Sequence, residues 1–320
     1  MTRKCLTSWV GLIILFVFGI SQVWGGETKI VRIMDFKPPE APDIALALGF
    51  FEKEGITVKV VGIGYSAPEA INATEAGQVD ASLSAVMPLI VARTKGIKVK
   101  FVADNARSTP SLPSEYFIVL NDSPINTVKD LKGKKIAINA LGTYMDLYLR
   151  SYLEKNGLSP DKDVTILPIP WHTMEDALRA KQVDVMGIYG PFGDVALKKG
   201  GTRVILKDVI TNINSVGYFF SEKFIRENPE TTRAFLRAYV KGMNYMQDNP
   251  DEATRILVKY TGNPEGFVAS SLKLFQNIPR DCRMDLESIK FQQELLLKYG
   301  YIDKKVPTED LIDLSFLPRK

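Results

Sequence analysis

Three times in this 320-residue chain a short apolar, β-branched run ends at a hydroxyl residue that is followed three positions later by an acid. Ser66 with Glu69 follows Ile56 to Ile63, Thr143 with Asp146 follows Lys135 to Asn139, and Thr173 with Asp176 follows Val164 to Pro168. A hydroxyl placed before a helix accepts an unpaired N–H of the first turn, and the acid reaches back to the cap residue, so the spacing predicts a helix start in each case. Strand, capped turn and helix in that order build parallel sheets flanked by helices, whose ligand crevices lie beyond the carboxyl ends of the strands. The capped turns are where a ligand is expected.

The first unit has the same form. Ile30, Val31 and Ile33 read as a buried strand over Lys29 to Met34, ending at Asp35 and Phe36. A helix is expected from about Pro42, with Asp43 in its first turn, Ala45, Leu46, Leu48 and Phe51 on its body, and a stop at Gly55. An internal echo relates the two halves: Glu69-Ala70-Ile71 leads to Gln78-Val79-Asp80, and Asp176-Ala177-Leu178 leads to Gln182-Val183-Asp184. This supports two similar lobes. The β-rich stretches Tyr116 to Leu120 and Val216 to Phe220 are read as the two crossings between them, making the first lobe discontinuous (26–115 and 216–320) and the second continuous (116–215). Asn228-Pro229 and Asn249-Pro250 start further helices, and Phe235, Tyr239 and Met243 at i, i+4 and i+8 read as a core stripe rather than a cofactor box.

At the amino end, Arg3 and Lys4 precede an apolar run from Trp9 to Ile20 and the small residues Gly25 and Gly26. That is the layout of a secretory signal occupying residues 1–25 and cleaved near Gly25–Gly26, which places the body outside the cytoplasm, in the periplasm. Retention as an anchor is the rival reading. Cys5 lies ahead of the apolar run rather than after it, which argues against lipid attachment, and removal of the signal leaves Cys282 alone with no intramolecular disulfide to form. The roughly 295 remaining residues suffice for two lobes with substantial cores. The net charge of +4 falls to about +2 without Arg3 and Lys4, which does not suit a nucleic-acid binder.

Several phrases, by their order and spacing, carry a family resemblance: Pro42 through Ile56 (PDIALALGFFEKEGI), Ala76-Gly77-Gln78-Val79-Asp80, Ser123-Pro124-Ile125, Asp130 through Ala137 (DLKGKKIA), and Asn249-Pro250-Asp251-Glu252-Ala253. The chain resembles the nitrate/sulfonate/taurine branch of periplasmic solute-binding proteins, with their thiamine-pyrimidine-binding relatives. The resemblance implies an α/β fold of the second periplasmic-binding-protein type, with two lobes joined by two crossings and a ligand cleft that closes by hinge motion. It implies a monomeric receptor that delivers a small molecule to an ABC permease and its ATPase, with no cofactor and no metal.

Helix starts and strand ends supply the expected site residues: Phe36 and Lys37, Tyr65 and Ser66, Ser84 and Met87 from the first lobe, and Leu141, Gly142 and Thr143, Trp171 and His172, Tyr189, Pro191 and Phe192 from the second. Each has a plain structural role beside this one. Ser66 and Thr143 are helix caps whether or not they meet ligand, Trp171 and Tyr189 suit packing equally well, and Lys37 suits a solvated loop. His172 is the only histidine, and nothing near it announces partners for catalysis or metal. Helix-start N–H groups suit a sulfonate or carboxylate and the aromatics suit an organic body, so a small organic anion is the expected cargo, with a pyrimidine or other small solute as the alternative. The resemblance extends to pyrimidine synthases on the same fold, but their cysteine-rich motif has no counterpart here, so the chain is read as a non-enzyme. A sensory partner presenting ligand to a receptor is the remaining alternative.

Overall fold

The computed structural model describes residues 29–319 apart from 37, 65, 109–114, 208 and 211–212. The secretory signal, its cleavage point and Cys5 therefore lie outside the described residues, as do Lys37 and Tyr65.

From the amino end the chain forms β1 (Ile30–Asp35), α1 (Ala41–Ala47), α2 (Phe50–Lys53), β2 (Thr57–Ile63), α3 (Ala67–Glu75), β3 (Ala81–Ala85), α4 (Val86–Thr94) and β4 (Val99–Arg107). The middle of the chain forms β5 (Glu115–Leu120), β6 (Lys135–Ile138), α5 (Tyr144–Lys155), β7 (Thr165–Pro168), α6 (Trp171–Arg179), β8 (Val185–Tyr189), α7 (Gly190–Lys199) and β9 (Thr202–Lys207). The remainder forms β10 (Asn214–Ser221), α8 (Glu222–Glu227), α9 (Pro229–Asp248), α10 (Pro250–Thr261), α11 (Glu265–Phe275), α12 (Leu286–Lys298) and α13 (Thr308–Leu311).

Two five-stranded sheets result, ordered β2-β1-β3-β10-β4 and β7-β6-β8-β5-β9. They have the same plan. In each, the second strand (β1 or β6) pairs in parallel with both its neighbours, and an antiparallel strand (β10 or β5) lies between the central strand and the far edge. The echo in the sequence thus marks equivalent units, β3 and β8, in two lobes. The two stretches expected to be crossings are instead ladder strands inside the sheets, and the chain changes sheet just before each, between Arg107 and Glu115 and between Lys207 and Asn214. Their β-branched and aromatic residues, read from the sequence as crossings between the lobes, here satisfy both faces of a strand inside a sheet.

The expected helix from Pro42 to Gly55 is broken into α1 and α2 at Gly49, whose φ of 65° is left-handed and interrupts the helical hydrogen bonds. Thr173 does not cap a helix either. Pro170, with φ −55°, presets the backbone so that α6 begins at Trp171, and the Thr173 hydroxyl donates to Pro170 O from within the first turn. Ser66 does cap α3, accepting from Glu69 N.

The first lobe's core is an aromatic stack on one face of its sheet. Tyr218 and Phe220 of β10, Phe235 and Tyr239 of α9 and Phe51 of α2 are all buried, with ring centroids 4.9–5.3 Å apart for Phe51–Phe235, Tyr218–Phe235 and Tyr218–Tyr239. The Phe235–Tyr239–Met243 stripe is packing, as read from the helical spacing. On the other face a cluster formed by α4, β10 and α12 takes in Leu147 and Tyr148 of α5, so an apolar contact joins the lobes along α5 and α12. Among the described residues no helix is long and apolar enough to cross a membrane.

Candidate ligand site between the lobes

The first-lobe wall is built where β1 ends and α1 begins. Asp35, the last residue of β1, accepts the Phe36 N–H at 2.7 Å, and Asp43, three residues after the cap position Glu40, accepts the Glu40 N–H at 2.8 Å. Glu40 and Asp43 are 7% and 1% exposed. The Glu40 carboxylate accepts from the Asn105 amide at 2.5 Å, and Asn105 is itself oriented by Tyr239, whose hydroxyl donates to Asn105 Oδ1 at 2.7 Å. Burial is the main force on all three acids and raises each carboxyl above its ordinary range, and the charge of the neighbouring acids adds to the rise at Glu40 and Asp43. Among the described residues no lysine or arginine pairs with any of the three.

The second-lobe wall is aromatic. Trp171 opens α6, Tyr189 closes β8, and Phe192 lies in the first turn of α7, with centroid separations of 6.5, 6.4 and 6.3 Å among the three. Trp171 and Phe192 are nearly parallel, at 11°. The Tyr189 phenol is raised by burial and then by the negative charge of Glu40, which places the two walls in each other's field. Alongside, α7 meets α11 of the first lobe: Phe192 packs on Phe267 at 5.3 Å, and the Ser270 hydroxyl donates to the Asp194 carboxylate.

The other expected residues divide by position. Phe36 is half-buried against the α4 cluster, Ser66 caps α3, and Pro191 lines a cavity of about 70 Å³ between α7 and α11 that is too small for an organic solute. Ser84 is buried in β3, with its hydroxyl donating to Ala85 O. Met87 is a correction: it is fully buried between α4 and its neighbours as a core side chain, because α4 begins at Val86 and turns it inward. Leu141 is 50% exposed, and His172 is exposed on α6. The turn at Gly142 and Thr143 is already satisfied from within the protein. Gly142, at φ 74°, donates its N–H to Asp146 Oδ2, and the Tyr301 hydroxyl reaches the same oxygen at 3.2 Å, its ring so close that a β-carbon on Gly142 would lie 2.6 Å from it. Thr143 is the cap residue of α5 by position, but its hydroxyl donates to Ala140 O at 2.8 Å instead of accepting from the helix.

Asp35, Glu40, Asn105, Tyr218 and Tyr239 were not singled out from the sequence. The local signal for Glu40 is Glu40-Ala41-Pro42-Asp43, an acid three residues before another acid with proline between them, and it is weak because glutamate is an uncommon cap.

At the root of the cleft, Asp104 of β4 is fully buried and its Oδ2 accepts from Asn214 Nδ2 at 2.5 Å and Arg107 Nη2 at 3.0 Å. This ties the last strand before one crossing to the first strand after the other. Burial raises the Asp104 carboxyl to about 7, with Arg107 and the hydrogen bonds pulling it back.

A family model described as NMT1/THI5 like matches residues 44–253. A putative aliphatic sulfonates-binding protein of Bacillus subtilis is 29% identical over 273 residues, covering 84% of this chain and 80% of its own length. A formylaminopyrimidine-binding protein of Halalkalibacterium halodurans is 25% identical over 225 residues, covering 67% of this chain and 64% of its own. The crystal structure of the periplasmic aliphatic sulphonate binding protein SsuA of Escherichia coli superposes with a TM-score of 0.74 at 22% identity, over 89% of this chain and 92% of that one, which establishes the shared two-lobed fold.

Proposed function

The chain belongs to the NMT1/THI5-like family, and from that premise we propose that it is the extracytoplasmic solute-binding component of an ABC importer, capturing a small organic molecule between its two lobes. The observation that carries this reading is the pair of sheets built on one plan, with Asp35, Glu40 and Asp43 at a strand end and helix start of the first and Trp171, Tyr189 and Phe192 at strand ends and helix starts of the second. Each wall stands beyond the carboxyl end of a central strand or its neighbour, where α/β sheets bind ligands. The two changes of sheet, between Arg107 and Glu115 and between Lys207 and Asn214, support lobes of 26–115 with 216–320 and of 116–215.

Binding requires no covalent step. A solute touching both walls is held only in the closed form, so it shifts the hinge equilibrium toward the shape that a permease and its ATPase would engage. Cys282, the described cysteine, is buried, and its thiol is raised by burial and by Asp104, which makes it inert rather than nucleophilic. Delivery outside the cytoplasm rests on the leader and on the periplasmic relatives.

Two cargo classes are in view. Relatives named for sulfonates support an organic anion; the carboxylates of the first-lobe wall favour the second, a nitrogen heterocycle of the kind named for the formylaminopyrimidine binder. A thermal-shift screen of the exported protein against alkyl and aryl sulfonates, carboxylates, nitrate and pyrimidines tests the reading, because a ligand of the native state raises the melting temperature. A rise confined to one class supports solute capture and names the class. No rise with any compound, in protein shown free of co-purified solute, would refute capture of these cargoes.

A further inference from the structure

We propose that the two lobes part on one flank only: the seam between α5 and α12 holds as an axle, and the seam between α7 and α11 opens as a clasp, so that solute enters past Phe192 and Phe267. The purpose given to this motion rests on the solute-capture reading, and its geometry does not.

The two seams lie on opposite faces of both sheets. In the second lobe α5 packs on the face that carries Ile136 and Ile138 of β6, whereas α6 and α7 pack on the face that carries Ala137 between them. In the first lobe α12 shares the face of Phe219 of β10, and α11 shares that of Tyr218 and Phe220. The lobes are therefore joined at two flanks, and a rotation that keeps one contact must open the other.

The seams differ in what separating them would expose. Leu147 and Tyr148 of α5 are 0% and 2% exposed and belong to the same apolar cluster as Phe219, Ile289 and Leu296 of the first lobe, while Met145 and Leu149 of the same helix face the second lobe's own core. One helix is thus shared by two cores, and parting it from α12 would carry fully buried apolar area into water. This seam is also long: Tyr301 covers Gly142 and donates to Asp146, and Lys298 pairs with Glu154 about two turns further along α5.

The α7–α11 seam buries less. Phe192 and Phe267 are each half-buried, and the hydrogen bond from Ser270 to Asp194 can be exchanged for water at small net cost. A cavity of about 70 Å³ lies between the two helices, where a permanent contact would be filled. Phe192 is also the ring on which Trp171 lies nearly parallel, so the flank that parts is the one that carries the aromatic wall.

The test reads each flank separately. The full chain is expressed with its own leader in a Cys5→Ser background, and the exported protein is freed of bound solute by dialysis from urea and refolded; the buried Cys282 stays unlabelled. Spin labels are placed on exposed positions, at Val195→Cys with Lys273→Cys across the clasp and at Lys155→Cys with Leu297→Cys across the axle, and measured by double electron–electron resonance. The clasp pair is expected to populate distances longer than the present structure allows, and the axle pair to keep one narrow distribution. A clasp pair held at the distance of this structure, or an axle pair as broad as the clasp, overturns the proposal. A second measurement uses Trp171, the one tryptophan left in a Trp9→Phe and Trp24→Phe background. Joining Asp194→Cys to Ser270→Cys with a short reducible cross-linker is expected to lower its quenching by acrylamide at least twofold, whereas joining Glu154→Cys to Lys298→Cys should leave it unchanged. No effect of the first tether, or an effect of the second, also overturns the proposal. No ligand enters either measurement, so their failure leaves solute capture to the thermal-shift screen.

Discussion

Raising the pH from 5 to 8 should destabilise the protein, and Asp104 sets a calculable part of the loss. Its carboxyl is buried and lies at about 7 in the folded chain against an ordinary value of 3.8. Between those two values the folded state holds a proton that the unfolded chain has released, so stability falls as the pH climbs through the window and is lowest above it. Below about 4 both states are protonated and the contribution is constant. With about 1.36 kcal/mol per unit, the part of this window between pH 5 and pH 8 amounts to about 2.5 kcal/mol from Asp104. Glu40, Asp43 and Asp35 are raised in the same sense and add to it. The acids that are lowered, Asp130, Asp163 and Glu175, lose their stabilising effect only as the pH falls from their ordinary values of 3.8, 3.8 and 4.5 through their depressed ones, below this range. Urea unfolding followed by tryptophan fluorescence at pH 5, 6, 7 and 8 measures the slope, and Asp104→Asn, which keeps the shape and removes the titration, should flatten it by about 2.5 kcal/mol over the same span. A wild-type protein as stable at pH 8 as at pH 5, or an Asp104→Asn variant with the wild-type slope, would refute the reasoning.

Phe235→Ala should cost about 3–5 kcal/mol in the same unfolding assay, because it opens a cavity among the rings of Phe51, Tyr218, Phe220 and Tyr239 in the first-lobe core. Gly142→Ala should destabilise by about 1–3 kcal/mol through its left-handed backbone and its overlap with Tyr301, and the added variant Tyr301→Ala should relieve the overlap part but not the backbone part. Asp194→Ala and Ser270→Ala should be non-additive by about 1 kcal/mol in a double-mutant cycle read by urea unfolding, since each removes the same bond between α7 and α11; additive effects would show that the lobes do not meet there. Replacing Trp171 and Tyr189 together by alanine should weaken ligand binding at least tenfold in calorimetry, and unchanged affinity would mean that the aromatic wall faces something other than ligand.

The two-lobed plan was legible because it is written in short-range terms. Apolar runs of strand length, the Ser66–Glu69 cap and the helical stripe Phe235–Tyr239–Met243 depend only on neighbours in sequence, and each took its expected form. The positions of Trp171 and Tyr189 at strand-to-helix turns were legible for a related reason, since a strand end followed by a helix start is a local pattern. The acid wall was not legible, because its character comes from burial and from partners far away in sequence. Asn105 lies 65 residues from Glu40, and Tyr239 lies 134 residues from Asn105. Nothing local tells a buried carboxylate from a solvated one. Met87 went the other way, since its position after a strand resembled a site position until the pitch of α4 turned it into the core.

The placing of β10 bears on the order in which the chain can fold. Sheet one is bridged in its interior by a strand that follows the whole of the second lobe, so β3 and β4 have no common partner until Ser221 exists. Sheet two draws all five strands from one stretch, Glu115–Lys207, and waits for nothing outside it. Closing the longer loop carries the larger entropic cost and the slower rate. In pulsed hydrogen exchange the amides of β6 and β8 should therefore be protected before those of β4 and β10: the middle of this chain can be completed from its own strands, whereas β4 and the free edge of β3 wait for the last third.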